Sequence, residues 1–497
     1  MELHELSISQ LGSLIKNKEV SIPKLTRYML DRIEKLDSAY GCYITVAEEK
    51  AMEQAADVQA RLDGGNLDSP LAGIPMAVKD NICTKGILTT CASRMLYNFI
   101  PPYDAHVVGK LYENGAILLG KVNMDEFAMG SSTESSYFKK TFNPLDTERV
   151  PGGSSGGAAA AVASGEAIYC LGSYTGGSIR QPAAFCGCVG IKPTYGLVSR
   201  FGLVAYASSF DQVGPLTRTV SDCAMVLGAI AGHDPMDATS TRKRIPDYTK
   251  ALVQDVRGLR IGIPGEFVDD SVDEDIRNAV FKAIQVFSEQ GAECKEISIP
   301  VMEYVVPTYY IIALAEASSN LARYDGVKYG YRTSEYKDLI DMCKRTRSEG
   351  FGTEVKRRIL LGTYVLSSGY FDAYYKKALK ARTIISREFG RAFEECDIIM
   401  GPVAPTTAYK IGEKINDPLK MYMEDIFTVP ANITGLPALA IPAGIDRNNM
   451  PIGLQLIGKR FDESTIFRAG YTFEQTIGSN WTSSRMNNQV NNQVKNK

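Results

Sequence analysis

Two glycine–serine segments and one lysine carry the residue types from which an acyl-transfer site can be built. The segment PGGSSGGAAAAVASG (151–165) runs from a flexible loop into an alanine-rich stretch that reads as a helix. Gly152, Gly153, Gly156 and Gly157 permit backbone angles that other residues resist. Ser154 then falls where the free N–H groups and dipole of a helix start favour negative charge. In YTGGSIRQP (174–182), paired glycines stand directly before Ser178. Glycines there let several N–H groups converge on one point, as an oxyanion hole requires. In LAGIPMAVKDNI (71–82), a strand-like apolar run delivers Lys79 into the turn that follows it. A lysine in a dry pocket loses its proton readily, because burial disfavours the charged form. Once neutral it can act as general base for a serine, and Ser–Lys pairs are a known alternative to Ser–His. Taken singly, each segment also has an ordinary reading, as a turn or a solvated strand end.

Other chemistries find less support. The three histidines are His4 near the mobile-looking start of the chain, His106 after PPYDA, and His233 in the turn AGHDP. None lies in a glycine-rich loop, which argues against a Ser–His–Asp triad. No His/Cys/carboxylate group has zinc spacing, and GxxxxGK[ST] is absent. The ten cysteines are scattered without a CxxC pair, so free and mostly buried thiols are expected. The sequons at Asn432 and Asn480 mean little without a secretory route. A formal net charge of -2 argues against a chain that grips nucleic acid by itself. No signal peptide and no run of about 18 apolar residues is found, so no membrane association is expected and the location is read as cytoplasmic.

The elements that must position these residues are legible in outline. The first 65 residues read as helices, one with Leu25, Met29, Ile33 and Leu36 on a face and another from about 47 to 62 that stops at Gly64–Gly65. From residue 71 short apolar strands alternate with small-residue helices, which predicts an α/β fold with one main mixed sheet covered by helices on both faces. A βαβ unit is expected from LRIGIP (259–264), a helix with Ser271 and Glu274 as a capping box and Gly291 at its end, and CKEISIP (294–300). The stretch 301–395 reads as helical and 397–478 as α/β again, together with a core over 71–300. The whole of 1–478 is read as one large domain. The asparagine-rich 479–497 is expected to be a frayed, disordered tail.

In this order and spacing, the three segments resemble the amidase signature family. The run GGSSGGAAAAVASG…TGGSIRQPAAFCGCVGIKPTYGLVSRFGLVAYASSFDQVGPLTRTVSD carries the likeness, which extends from about Leu11 to Gln475. The resemblance implies a Lys–Ser–Ser triad with Ser178 as nucleophile, Ser154 as a proton relay after a cis peptide bond, and Lys79 as the neutral base. It further implies an oxyanion hole from the N–H groups of Thr175, Gly176, Gly177 and Ser178.

Further segments resemble the branch of that family that serves as glutaminase subunit in tRNA-dependent amidotransferases. These include NMDEFAMGSSTESS (123–136), PTYYIIALAEASSNLARYDGVKYGYR (307–332), EVKRRILLGTYVLSSGY (354–370) and EDIFTVPANITGLPALAIPAG (424–444). The likeness implies that Tyr309, Arg358 and Asp425 hold free glutamine, with Arg358 gripping the α-carboxylate as a fork and Asp425 pairing with the α-ammonium. Read without it, Arg358 is a helix-surface charge and Asp425 a cap. It implies a heterotrimer completed by B and C subunits, in which ammonia reaches the B subunit. There ATP and Mg²⁺ serve to convert Glu-tRNA(Gln) to Gln-tRNA(Gln), and in some organisms Asp-tRNA(Asn) to Asn-tRNA(Asn). The tRNA is held mainly by that same B subunit, and this chain carries no cofactor of its own.

The chain departs from the family at Tyr174, where the family has Asp. A carboxylate four places before the nucleophile would accept backbone hydrogen bonds and shape the Gly–Gly turn. Tyrosine leaves two expectations open: a persisting loop with reduced activity, or a neutral change compensated by its neighbours. A free-standing small-amide amidase and an inactive scaffold subunit are the alternatives.

Overall fold

The frame that carries these segments is a single sheet of eleven strands. A computed structural model describes residues 2–415 and 417–478 of the 497-residue chain; the predicted tail lies outside them, as does Asn480. In chain order the strands are β1 (Tyr43–Val46), β2 (Pro75–Lys79), β3 (Ile117–Val122), β4 (Tyr169–Tyr174), β5 (Val189–Lys192), β6 (Gln212–Thr217), β7 (Arg260–Pro264), β8 (Glu293–Ile297), β9 (Ile398–Pro402), β10 (Ala438–Ile445) and β11 (Pro451–Gly458). Their order across the sheet is β1-β3-β2-β4-β6-β5-β10-β11-β9-β7-β8. β2 runs parallel to both β3 and β4, and β7 to both β8 and β9, while the joints between and outside these groups are antiparallel. Every residue of β2, β3, β4, β5, β6, β9 and β11 is buried. Since successive strand residues point to opposite faces, both faces of this sheet are covered, as the continuous apolar runs predict.

The helices follow the predicted periodicity. Ile22–Tyr40 buries Leu25, Met29, Ile33 and Leu36, is capped by the Ser21 hydroxyl, and ends at Gly41 with φ 66°. Glu48–Asp63 stops at Gly64. The region 301–395 is built on helices Val305–Asn320, Leu339–Gly350, Thr353–Leu366 and Lys377–Glu395.

Three expectations need correction. The N-terminal part is not wholly helical, because β1 pairs antiparallel with β3; four residues between two helices are too few to show an alternating pattern. The helix of the βαβ unit begins at Glu274, and Asp273 caps it by accepting from the N–H of Asp275, whereas Ser271 turns back to Asp269. His4 is not in a loose terminus: it is buried, its Nδ1 lies 2.7 Å from the Tyr28 hydroxyl, and burial pushes its pKa down to about 3. The cysteines are free, eight of them buried and Cys294 and Cys343 half-buried. Asn432 is buried too, which removes it as a glycosylation acceptor. Among the described residues no helix is long and apolar enough to cross a membrane.

Candidate active site

The parallel pairing of β2 with β4 sets the geometry. Lys79 is the last residue of β2 rather than part of the turn beyond it, and β4 alongside ends at Tyr174, so the lysine amine meets the turn that leads to Ser178. Lys79 is fully buried. Its Nζ lies 2.7 Å from Ser154 Oγ, 2.8 Å from Ser155 Oγ and 3.1 Å from the Ser173 carbonyl oxygen. The Ser155 hydroxyl donates to that same carbonyl, at 2.9 Å, which is why Ser155 occupies the N-cap position of helix Gly156–Ala163 without capping it.

Hydrogen counting then orients the group. The Ser173 carbonyl can only accept, and Ser155 has spent its hydrogen, so Lys79 must donate to both. A neutral amine has two hydrogens, and its lone pair is left facing Ser154. Burial pushes the Lys79 pKa down to about 7, against weaker upward pulls from Asp125, Cys91 and Asp211. Ser154 can thus give its proton to Lys79 and take one at its own oxygen.

The loop that carries Ser154 is held from below. The Gly153–Ser154 peptide is cis. The Ser154 carbonyl accepts from the Asp125 N–H at 3.2 Å, and the Asp125 carboxylate accepts from the N–H groups of Ser132 and Thr133 and from the Ser135 hydroxyl. A Cβ on Gly153 would lie 2.1 Å from Asp125 Oδ2, so glycine is required there for close approach. Gln181 closes the other side, accepting from Gly153 N–H and donating to the Ser131 carbonyl.

Across from this floor the structure brings Tyr309 and Asp425 to the glycine turn, with Arg358 close enough to act on the Asp425 charge. A Cβ on Gly176 would stand 2.9 Å from the Tyr309 hydroxyl, and one on Gly177 2.4 Å from Asp425 Oδ1. The paired glycines therefore do more than free N–H groups: they make room for these two side chains. Asp425 accepts from the Tyr310 hydroxyl at 3.1 Å, and burial raises its pKa to about 6. Arg358 is buried, so the surface-charge alternative does not hold. Its Nε donates to Glu354 at 2.7 Å and an Nη to the Tyr206 hydroxyl at 2.8 Å, and its guanidinium lies over the rings of Tyr206, Tyr310 and Tyr422 at 5.2–5.7 Å. A fork is thus held by its own shell, with edge left for a carboxylate.

Sequence reasoning passed over several of these groups. Ser155 stood in the quoted motif and was readable. Asp125 lay in a segment used only for likeness. Glu354 stands four residues before Arg358 on one helix and Tyr310 beside Tyr309, so both were readable as neighbours; Tyr206, Tyr422 and Asp211 come from other segments and give no local signal. Tyr174 is buried, with its hydroxyl near the Pro193 carbonyl and 2.7 Å from the Gln212 side-chain amide. β4 stays regular through it and pairs it with Gln212, so the loop persists. A carboxylate does reach the turn, from the residue just before β6: Asp211 Oδ1 accepts from the Thr175 hydroxyl at 2.6 Å.

Comparison with known proteins agrees with this geometry. The sequence profile of the Amidase family matches residues 24–467. The glutamyl-tRNA(Gln) amidotransferase A subunit of Caldanaerobacter subterraneus subsp. tengcongensis is 58% identical over 475 residues, 96% of this chain and 97% of that protein. The protein of the same name from Geobacillus kaustophilus is 57% identical over 475 residues, 96% of this chain and 98% of its own. Among solved structures, the glutamyl-tRNA(Gln) amidotransferase A subunit of Thermotoga maritima matches with a TM-score of 0.80 at 42% identity, over 96% of this chain and 95% of that one. Native peptide amidase from Stenotrophomonas maltophilia matches at 0.81 and 28% identity, over 95% and 96%. A likeness that runs along nearly the whole chain, over a range that includes the segments building the site, means that this chain belongs to the amidase family.

Proposed function

We infer that this chain is the glutaminase subunit of a tRNA-dependent amidotransferase, hydrolysing glutamine and supplying the ammonia that turns Glu-tRNA(Gln) into Gln-tRNA(Gln). One observation carries the chemistry: a fully buried Lys79 whose hydrogens are committed to Ser155 and Ser173 and whose remaining contact is Ser154. The relatives' names carry the choice of amide.

In this reading Ser178 Oγ attacks the glutamine δ-carbon as its proton passes to Ser154 and that of Ser154 to Lys79. The N–H groups of Thr175, Gly176, Gly177 and Ser178 receive the developing oxyanion. The proton returns by the same path to the departing ammonia, leaving a glutamyl ester on Ser178, and water then cleaves the ester. Arg358 takes the α-carboxylate, Asp425 the α-ammonium and Tyr309 donates from its hydroxyl, so the helical stretch 301–395 supplies much of the substrate pocket. The B and C subunits complete the enzyme. ATP and Mg²⁺ act in the B subunit, which also holds the tRNA, and Asp-tRNA(Asn) is a second acceptor where the organism needs it.

The test is glutamine-dependent amidation of Glu-tRNA(Gln) by this chain co-purified with the B and C subunits, beside a Ser178→Ala control. Activity that vanishes in the control and returns with added ammonia is expected. A native chain that works only with added ammonia would overturn the glutaminase reading and leave a scaffold.

A further inference from the structure

The connection between β5 and β6 reaches both the glycine turn and the wall around Arg358. Tyr206 accepts from Arg358 through its hydroxyl at 2.8 Å. The Phe210 ring packs on Tyr309 with centroids 5.4 Å apart. Asp211 reaches the glycine turn, its Oδ1 accepting from the Thr175 hydroxyl at 2.6 Å. Its other oxygen accepts from the Tyr206 N–H at 2.7 Å, and its own N–H donates to the Ala207 carbonyl at 2.8 Å, closing the turn on itself. Tyr206, Phe210 and Asp211 are 2%, 1% and 4% exposed. Both carboxylate oxygens are thus spent on neutral donors in a dry interior, where a charge is costly to keep. The two donors come from opposite sides of the site, one from the oxyanion turn and one from the residue that steadies the arginine.

We propose that Asp211 is a positioning residue that fixes the distance between the oxyanion turn and the grip on the substrate carboxylate, through Thr175 on one side and Tyr206 on the other. This rests on the assignment of Ser178 and Arg358 given above. Glutamine bound by its α-carboxylate at Arg358 presents its side-chain amide at a fixed reach. The turn that must meet that amide is set by the same carboxylate that sets the arginine's partner. Reaction rate depends steeply on such alignment, so Asp211 acts on both binding and turnover while touching neither substrate nor reacting atoms.

One substitution on each side, at the Thr175 hydroxyl that Asp211 holds and at the Tyr206 hydroxyl that meets Arg358, separates the two effects. In the complex with the B and C subunits, Thr175→Val is expected to lower kcat for glutamine hydrolysis about 10- to 100-fold with KM within about twofold, the scale of a misaligned oxyanion donor. Tyr206→Phe is expected to raise KM about tenfold with little change in kcat, the lower end of the worth of one hydrogen bond to a charged group. Asp211→Ala is expected to do both. Asp211→Asn is expected to recover most of the loss, since an amide oxygen serves the Tyr206 N–H while its NH₂ faces a Thr175 hydroxyl that can turn and accept.

The decisive readout is coupling. Adding Thr175→Val to Asp211→Ala should not lower kcat further, and adding Tyr206→Phe should not raise KM further. Multiplying losses, or wild-type kcat and KM in a folded Asp211→Ala chain, overturn the link. A chain whose Asp211→Ala form fails to fold is judged on Asp211→Asn, where adding Thr175→Val must then cost less than in the native background. Ser178→Ala runs alongside: surviving glutaminase activity there overturns the site assignment and the link with it, whereas a dead Ser178→Ala beside an indifferent Asp211→Ala overturns the link alone.

Discussion

Between Lys79 and Ser178 the site is made largely of backbone; between Tyr309 and Asp425 it is made of rings and charges. The floor places Lys79 by strand pairing and fixes it on one carbonyl from the neighbouring strand β4 and two hydroxyls from the loop that precedes helix Gly156–Ala163. The wall places Arg358 by a salt bridge to Glu354, by Tyr206 from another element, and by the stacked pair Tyr310–Tyr422 with centroids 4.1 Å apart. A floor fixed by backbone permits one arrangement and suits steps that need exact proton paths. A wall held by side chains can be changed residue by residue without rebuilding the floor. Floor substitutions should therefore move kcat and wall substitutions KM.

The largest break lies in the floor. Ser178→Ala is expected to lower kcat about 10⁴- to 10⁶-fold, and Lys79→Ala by a comparable factor, because residues that act as one unit fail together. The Ser178→Ala/Lys79→Ala double variant should then be no worse than the poorer single one. Losses that multiply in steady-state kinetics would show that the two do not share a proton path.

The same floor predicts a pH limb. Lys79 must be neutral, its pKa is pushed down to about 7, and protonation below that value removes the base. Turnover should rise about tenfold per unit as pH climbs toward 7 and level off above it. Asp211 is also pushed up to about 7 by burial, so the limb has to survive Asp211→Asn to belong to Lys79.

In the wall, Arg358→Lys keeps the charge and loses the planar contacts to Glu354 and Tyr206. Hydrogen bonds to charged groups are worth about 1.5–3 kcal/mol, so glutamine KM should rise roughly 10- to 150-fold with kcat changed far less. A matching fall in kcat would remove the distinction between wall and floor. Asp425→Asn should raise KM about tenfold, the smaller effect of losing one partly screened charge for the α-ammonium. Asp425 has a pKa raised to about 6 by burial, so in the native chain KM should climb as pH falls through 6 and the carboxylate is lost. The Asn variant should lack that rise.

What the sequence disclosed divides along the same line. Ser154, Ser178 and the glycines around them were legible because a backbone site writes itself into short motifs whose neighbours in sequence are neighbours in space. Lys79 was legible as the residue that an apolar strand delivers, though it was placed in the turn beyond β2 rather than at its end, and its complete burial was not legible, because that depends on Ser155 and on β4. Arg358 and Asp425 read locally as surface charge and cap; Glu354 four residues from Arg358 says nothing of burial, Tyr206 and Tyr310 come from separate stretches, and only the family resemblance marked the pair. β1 was missed because four residues cannot display a period, and the Ser271 cap was misplaced by two residues because Asp273 competes for the same helix start.

Tyr174 tests the boundary between the two regions with the smallest effect. It belongs to the floor by position and behaves like the wall, since what holds it is a side chain packed into the core beside Gln212 and Lys192. Replacing it with Asp would empty the space of the ring and bury a carboxylate near Lys192, so that exchange would mix folding with catalysis. Tyr174→Phe keeps the ring and removes only the hydroxyl contacts. If the tyrosine merely anchors β4, the variant should lose about 0.5–1.5 kcal/mol of stability in denaturant titration and keep kcat within about twofold. A fall of tenfold or more in kcat at unchanged stability would mean that the hydroxyl tunes the oxyanion turn, and that the backbone floor extends one residue further than its glycines.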